Sequence, residues 1–333
     1  MTCLVRSRGA PAFFAAPSTL PRLRMLARVA VGAGILLALV PVVGAEPFLR
    51  GLGAVSPAAV AAAAALGATA TIAAAWRWRV VAGRLGLRLG WTEAVLGYYR
   101  SQFLNSVLLG GFAGDVDRAV RHGRSADRAA QAARAVVAER AAGQAVQFVL
   151  AAVVLASLQL WAYAPAVGAV LLAVAAVGVG LTAAAMTSLR FREVARRELG
   201  HLRVAFGTPG AVVQVTAASA IVVTCHVATF LVACIAVGAA ASPQRLLAVS
   251  LIAVLAAGIP LSIGGWGPRE GAAAWAFAAA GLTAATGVAA ATVFGVLALI
   301  AVAPGAAVIA ASALRPSATR ASRARQPRQG VRP

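Results

Sequence analysis

Six long apolar stretches limit what this chain can fold into. Of its 333 residues, 61% are hydrophobic and only 12% are charged. Each stretch reaches the roughly 20 residues that a helix needs to cross a bilayer. Because lipid offers the backbone no hydrogen-bond partners, we expect these stretches to form helices that satisfy their own amide groups. The sequence therefore predicts an all-α, polytopic membrane helix bundle. The six predicted crossings are 25–45, 54–75, 135–158, 162–186, 211–239 and 283–314.

The basic residues indicate how this bundle is oriented. All 30 are arginines, and the net charge is +21. Most of them, 26 of the 30, lie in the N-terminal leader, in three loops and in the C-terminal tail. Basic residues mark the cytoplasmic side of a membrane protein, so we expect a multi-pass protein of the cell membrane with both termini in the cytoplasm. Since these arginines flank apolar crossings, their expected partners are anionic lipid headgroups and not nucleic acid.

The order of the segments predicts a repeat inside the membrane domain, 25–314. Two halves, about 25–160 and 161–314, would each contain two crossings, one interrupted segment and a third crossing. An odd number of crossings inverts the second half relative to the first, as in many transporters whose site lies between interrupted helices. The remaining residues, 1–24 and 315–333, are Arg-rich with Ser and Pro and are predicted to be disordered tails.

Two interrupted segments contain the strongest motifs. Residues 261–271 read LSIGGWGPREG, and residues 109–118 read LGGFAGDVDR as a partial twin. Glycine and proline break helices, and an acid and an arginine then place charge beside apolar neighbours. Two interpretations remain open: a tight loop at the water interface, or a discontinuous membrane segment that lines a site. The predicted hinge residues are Gly110, Gly111, Gly114, Pro260, Gly264, Gly265 and Gly267.

The stretch 91–111 is a poor crossing because polar residues such as Glu93 and Arg100 interrupt it. It is predicted to enter the membrane and return, or to lie at the interface. The WRWR sequence at 76–79 is interpreted as an interfacial anchor. Residues 115–134 are interpreted as a basic loop in which His122 is solvated.

Polar residues in the predicted crossings are further candidates. Glu139 and Arg140 begin the third crossing, either as an ion pair at the interface or as a polar wall that reaches into the bundle. In the fifth crossing, His226 shares one helical face with threonine and serine side chains. Its two interpretations are an interhelical hydrogen bond and a cavity-lining or proton-handling role. The residues on this face are Thr216, Ser219, His226 and Thr229.

The sequence contains no motif that indicates catalysis. Hydrolase elbows, phosphate-binding loops, nucleotide fingerprints and paired metal-binding histidines are all missing. The three cysteines have neither metal-ligand nor disulfide spacing. We therefore expect no catalytic residue, no cofactor and no metal, and a protein that is not an enzyme.

Taken together, these motifs resemble the transmembrane region of lysylphosphatidylglycerol synthases and the wider group of stand-alone flippase-like membrane proteins. The resemblance covers residues 25 to about 314. One departure is Leu109, which stands where the family usually has proline before the first Gly-Gly pair. The residues that carry the resemblance are Asn105, Gly110-Gly111, Gly114-Asp115-Val116-x-Arg118, Glu139-Arg140 and Pro260-x-Ser262-x-Gly264-Gly265-x-Gly267-x-Arg269-Glu270-Gly271.

The resemblance implies a lipid-handling role. The synthases also have a soluble aminoacyltransferase domain, whereas here about 19 residues follow the last crossing. Arginines suit a lipid phosphate, with Arg269 as the expected phosphate donor and Glu270 either orienting it or releasing the bound headgroup. If the two motifs meet, Asp115 and Arg118 are the expected partners of that pair. The predicted headgroup-binding residues are Asn105, Asp115, Arg118, Glu139, Arg140, His226, Ser262, Arg269 and Glu270.

Two functions remain open at this point. The first is a translocator of a phospholipid or a lipid-linked intermediate. The alternative is a non-catalytic membrane subunit that scaffolds a separately encoded glycosyl- or aminoacyltransferase. Motif charges inside the membrane favour the translocator, and charges confined to the surface favour the scaffold.

Overall fold

The structure is a computed structural model that describes residues 45–108, 111–126, 128–157, 168, 188–258 and 266–314. Two of the predicted crossings, 25–45 and 162–186, lie almost entirely outside the described residues, as do both tails. The same holds for the predicted binding residue Ser262 and for the predicted hinge residues Gly110, Pro260, Gly264 and Gly265.

The described chain is helical. In chain order the helices are α1 (Glu46–Gly53), α2 (Pro57–Arg84), α3 (Trp91–Val107), α4 (Ala113–Ser125), α5 (Ala129–Ser157), α6 (Leu189–Phe206), α7 (Pro209–Ala236), α8 (Pro243–Ala257), α9 (Pro268–Ala279), α10 (Ala284–Val302) and α11 (Pro304–Leu314).

Within the described residues, four helical stretches are long and apolar enough to cross a membrane: α2, α5, α7 and the run Ala284–Ser312, which joins α10 to α11. This confirms the all-α, polytopic membrane bundle. The last predicted crossing is interrupted at Pro304, where α11 begins; proline has no N–H for the helical ladder. Its neighbour Gly305 packs so closely on α3 that a Cβ there would lie 2.3 Å from the carbonyl oxygen of Tyr99.

Helix α2 continues beyond the predicted crossing, and this corrects the interpretation of residues 76–79. Ser56 begins the helix as its N-cap, with its side chain accepting a hydrogen bond from the amide of Ala59. The helix then runs on to Arg84. Arg77 is 7% exposed and Trp78 is 2% exposed. These two side chains point into the protein, so an interfacial anchor is wrong for both.

Helices α3 and α4 form the first hairpin. Gly111 has a φ of +64° in the turn, a conformation that glycine adopts without steric cost. At Gly114, a Cβ would lie 1.9 Å from the carbonyl oxygen of Ser101, so only glycine allows the two helices to approach this closely. The predicted basic loop is wrong: its first part is helix α4, and Arg118 and His122 are each only 3% exposed.

Helices α8 and α9 form the second hairpin, whose connecting segment 259–265 lies outside the described residues. Helix α8 begins with Ser242 as N-cap and Pro243 in its first turn, both favoured at helix starts. Helix α9 begins after Gly267, which has a φ of +98°. Because α9 packs against α10 at Gly287, a side chain there would clash with the backbone of Ala273.

The packing pattern of the two hairpins supports an inverted repeat. Helices α2, α3, α4 and α5 of the first half correspond, in this order, to α7, α8, α9 and α10 of the second. Each pair of helices in contact within the first set has a corresponding pair in contact within the second. Helix α2 also packs directly on α7. These two helices are antiparallel. Arg84, at the end of α2, donates to the carbonyl of Val204 just before α7, and Arg77 donates to Ser219 one third of the way along α7. The described elements therefore match the predicted inverted order.

A labelling experiment tests the predicted return of the first hairpin. Arg88→Cys precedes α3 and Arg121→Cys lies in α4, and both native side chains are exposed. In a background without the native cysteines, an impermeant thiol reagent should label both positions from the same side of the membrane, because α3 has only 17 residues and α4 turns back along it. Labelling from opposite sides would contradict the hairpin and with it the inverted repeat.

Candidate functional site

The centre of the site is the carboxylate of Glu139 in α5, which is fully buried. Its Oε1 accepts hydrogen bonds from Nε of Arg77 at 2.7 Å and from the hydroxyl of Tyr98 at 2.9 Å. Its Oε2 accepts from Nη2 of Arg118 at 3.0 Å. A buried charge is strongly unfavourable unless it is paired and hydrogen-bonded. Glu139 meets that condition with groups from α2, α3 and α4, so these helices meet at one carboxylate.

The two arginines that bind Glu139 are positioned by the surrounding helices. Arg77 also donates to Ser219 of α7 at 2.9 Å. Gly143, one turn after Glu139, leaves the space for it, since a Cβ there would lie 2.5 Å from an Arg77 nitrogen. The guanidinium of Arg118 lies 4.5 Å from the ring centre of Trp78 and 4.3 Å from that of Tyr98. The two aromatic faces stabilise a desolvated cation.

Asp115 extends this network towards the surface. Its carboxylate accepts from Arg118 at 3.0 Å and from Arg140 at 2.7 Å. Ser101 also donates to it at 3.1 Å, and Asn105 donates at 3.3 Å. Arg140 is the outermost member, with a side chain that is 47% exposed. It also donates to the carbonyl of Gly111, so it joins the turn of the first hairpin to α5.

Arg269 and Glu270 form a separate buried pair at the start of α9. The guanidinium of Arg269 donates to Glu270 Oε1, and Oε2 of the same carboxylate accepts from the amide of Gly267 at 2.7 Å. Arg269 lies against the rings of Trp266 and Phe294. Gly295 leaves the space for it, since a Cβ there would lie 2.4 Å from Nη2 of Arg269. The pair is therefore held by its own hairpin and by α10.

The motifs of the two hairpins share one cavity of about 310 Å³. Side chains from both halves line it, together with apolar residues of α2, α7 and α10. Its charged lining is three arginines and one aspartate, Arg77, Arg140, Arg269 and Asp115. The polar uncharged lining includes Gln102, Asn105, Gln144, Gln147, His226 and Thr229.

The site as a whole carries a net charge of +1. Four arginines, Arg77, Arg118, Arg140 and Arg269, face three carboxylates, those of Asp115, Glu139 and Glu270. An anion of charge −1 would neutralise the set. Guanidinium groups provide planar, paired N–H donors that suit phosphate oxygens. The arrangement is therefore chemically suited to bind a phosphodiester.

The structure brings most of the predicted binding residues together. Asp115, Arg118, Glu139 and Arg140 form one network, and Glu139 belongs to the polar wall and not to an interfacial pair. Asn105 and His226 line the cavity with Arg269, whereas Glu270 is fully buried behind it. The expected pairing between the two motifs is wrong: Arg269 bonds to Glu270, and Arg118 bonds to Asp115 and Glu139.

Sequence reasoning missed four residues of the network: Arg77, Tyr98, Ser101 and Ser219 form bonds at its centre but were not predicted to bind a headgroup. For Arg77 the available signal was Gly143, a small residue one turn from a buried acid. Ser219 was noted only as part of a polar face. Its partner lies 142 positions away, so no local pattern identifies it.

The fold and site define an integral membrane helix bundle with a positively charged internal cavity. Residues 25–305 match the family described as the lysylphosphatidylglycerol synthase TM region. Since this match covers most of the chain, the protein belongs to that family. No curated protein and no solved structure matches the chain.

Removing the charge of Glu139 should destabilise the fold. In the Glu139→Gln variant, Arg77 and Arg118 lose the carboxylate that compensates their burial, and the expected loss is roughly 3–5 kcal/mol. Thermal unfolding of the detergent-solubilised protein measures it.

The matched control is Glu198→Gln in α6, whose carboxylate pairs with Arg134 at 2.9 Å but is 44% exposed. The hydrogen bond from Arg134 lowers the pKa of Glu198, yet an exposed pair contributes at most about 1 kcal/mol. Equal destabilisation by the two substitutions would contradict the central role of Glu139.

Proposed function

We propose that this protein translocates a phospholipid, or a lipid-linked intermediate, with an anionic headgroup across the cell membrane, and that it does so without catalysing a reaction. The observation that carries the proposal is the shared cavity. Three arginines from α2, α5 and α9 line it, and two charged lining residues, Asp115 and Arg269, belong to the interrupted motifs of opposite halves.

The position of the charges supports binding inside the bundle. Charged residues in membrane segments are rare, and they mark substrate paths by default. Arg77 and Arg269 lie deep in the protein, whereas Arg140 is nearly half exposed. A headgroup would therefore meet Arg140 first and Arg269 at the far hairpin. Because both line the same cavity, a single phosphate could pass between them without losing its cationic partners.

The size of the cavity and the apolar surface of α5 favour separate routes for the headgroup and the acyl chains. A volume of about 310 Å³ accommodates a polar headgroup but not two acyl chains. Helix α5 exposes the apolar side chains of Val137, Val149 and Val153, which suit contact with acyl chains. The headgroup would move through the polar interior while its chains stay in the bilayer. We further propose that the protein resides in the plasma membrane with both termini in the cytoplasm, as its arginine distribution indicates.

Asp115 is placed to release Arg140 to the substrate. Its carboxylate holds both Arg140 and Arg118, so an incoming phosphate can take over Arg140 while Asp115 keeps a buried partner. Exchange of one anion for another leaves no arginine unpaired. This limits the free-energy cost of moving charge through a low-dielectric interior.

Arg140→Gln is the sharpest test of this function. We expect translocation of fluorescent phosphatidylglycerol in reconstituted vesicles to fall at least roughly tenfold, because a charged hydrogen bond contributes about 1.5–3 kcal/mol. Protein abundance and unfolding temperature should change little, since Arg140 is exposed.

The matched control is Arg134→Gln, on the same helix and also paired with a carboxylate, but outside the cavity. Its translocation rate should stay close to the native one. Normal translocation by a folded Arg140→Gln protein would exclude Arg140 from the path. Absence of translocation by the native protein would instead favour a subunit that scaffolds a separately encoded transferase.

A further inference from the structure

A second pocket lies outside the central cavity, where α2 ends and α7 begins. Its volume is about 530 Å³. The last turns of α2, the loop that leads into α3 and the first turns of α7 form its walls, and no residue lines both this pocket and the central cavity. The proposed translocation path therefore leaves it unused. Its polar and aromatic lining is Trp76, Arg79, Arg88, Trp91 and Gln214.

This second pocket carries positive charge that no nearby acid balances. Arg79 and Arg88 line it, and no described carboxylate does. The acid that follows next along the chain, Glu93, has its carboxylate 3.6 Å from Nδ1 of His122 and does not line the pocket. In the central cavity, by contrast, each arginine is paired with a carboxylate. An external anion would therefore meet two arginines here and no competing acid among the described residues.

Arg79 is fixed in place while part of its guanidinium stays open. Its Nε donates to the carbonyl of Leu89 at 2.8 Å, and its Cζ lies 4.3 Å from the ring centre of Trp91. Neither contact uses the two Nη nitrogens, and within the described chain no group accepts a hydrogen bond from them. A guanidinium held in this way presents paired N–H donors that suit phosphate oxygens.

The surroundings of the pocket are those of the membrane interface. Trp91 is 48% exposed, Trp76 is partly exposed, and tryptophan is enriched at the level of lipid headgroups. Ile72 lies one turn before Trp76 on the same face of α2 and is 50% exposed. Ile221 lies two turns after Gln214 on the same face of α7 and is 39% exposed. Because α2 and α7 are antiparallel, both isoleucines lie on the side of the pocket that leads towards the middle of the crossings.

These features together select one kind of ligand. A soluble anion would use the arginines and leave the tryptophans and the apolar surface without a partner. A zwitterionic lipid would bring its cationic group beside two arginines that have no neighbouring acid. An anionic phospholipid matches both parts, because its phosphate suits the arginines and its acyl chains suit the exposed apolar faces of α2 and α7.

We propose that this pocket binds one resident anionic phospholipid, which is held beside the protein and not transported. Arg79 and Arg88 hold its phosphate, Trp91 packs beside the glycerol region, and the acyl chains lie along α2 and α7. The lipid then joins the loop before the first hairpin to α7 of the opposite half. Since a ligand that binds only the folded state stabilises it, anionic lipid should stabilise this contact between the halves. The inference stands on the second pocket alone and does not require translocation.

Tryptophan quenching by brominated lipid tests this site. The full-length protein is placed in phosphatidylcholine nanodiscs, and increasing fractions of the lipid are replaced by phosphatidylglycerol or phosphatidylcholine with brominated acyl chains. Bromine quenches tryptophan fluorescence at close contact, and two of the six tryptophans line this pocket. Brominated phosphatidylglycerol should quench more than brominated phosphatidylcholine, and the excess should saturate. Trp91→Phe should reduce that excess, which assigns it to the second pocket.

Three arginine variants separate this site from general surface charge and from the central cavity. Arg88→Gln should weaken the affinity behind the excess quenching about fivefold, the contribution of one basic residue near an anionic membrane surface. The matched control is Arg124→Gln, which also replaces an exposed arginine but lines neither pocket, and it should keep the native affinity. Arg140→Gln alters the central cavity and should also keep it.

Each contrary outcome overturns a defined part of the proposal. Equal quenching of the native protein by the two brominated lipids would exclude a site for anionic lipid. Equal weakening by Arg88→Gln and Arg124→Gln would reduce the effect to general surface charge. Loss of the excess in Arg140→Gln but not in Arg88→Gln would move the lipid to the central cavity. Relief of quenching by inorganic phosphate as readily as by unbrominated phosphatidylglycerol would make the pocket a site for soluble anions. A failure of the native protein to translocate lipid would overturn the proposed function and leave this binding result unchanged.

Discussion

The buried carboxylate of Glu139 is the interaction on which the rest of the site depends. It bonds to Arg77 of α2, Tyr98 of α3 and Arg118 of α4, and Arg77 reaches α7 through Ser219. Five helices therefore meet around one negative charge. Since an unpaired buried charge costs several kcal/mol, these helices have little freedom to separate. The cavity lies beside this fixed point, with Arg77 as one of its walls.

The two halves of the bundle use the same device with different partners. In each, a glycine on the crossing after the hairpin leaves room for a buried arginine: Gly143 for Arg77, and Gly295 for Arg269. The first hairpin is bonded to α5 by Arg118–Glu139 and Asp115–Arg140. The acid of the second hairpin, Glu270, instead pairs within its own helix. Packing symmetry is thus preserved while the electrostatic connections differ.

Much of the fold can be predicted from the sequence because the bilayer requires apolar helices of a certain length, and a short stretch of sequence shows whether that requirement is met. Hydropathy alone places α2, α5, α7 and α10, and helix breakers mark both hairpins. Side-chain burial is different, because it depends on distant partners. Arg77 and Trp78 look like interfacial anchors, and Arg118 and His122 lie in a basic stretch, yet all four are buried. Arg77 and its partner Glu139 are 62 positions apart, and no local pattern records that contact.

The same difference between local patterns and distant contacts explains which parts of the candidate site could be predicted from the sequence. The motifs identified Asp115, Arg118, Glu139, Arg140, Arg269 and Glu270 as charges in apolar surroundings. Which of them pair depends on how the hairpins dock, so the expected pairing between Arg118 and the second motif is wrong. The shared cavity joins the two motifs through space and not through a direct ion pair.

The central claim is that the cavity attracts anions and holds a lipid headgroup, and chemical modification inside it tests this most directly. Ala257 lines the cavity at the end of α8. In an otherwise cysteine-free protein, an Ala257→Cys thiol should react faster with an anionic methanethiosulfonate than with a cationic one of similar size. Added phosphatidylglycerol should slow that reaction, and phosphatidylcholine should not. Equal or faster reaction with the cationic reagent, or no protection by phosphatidylglycerol, would contradict the account.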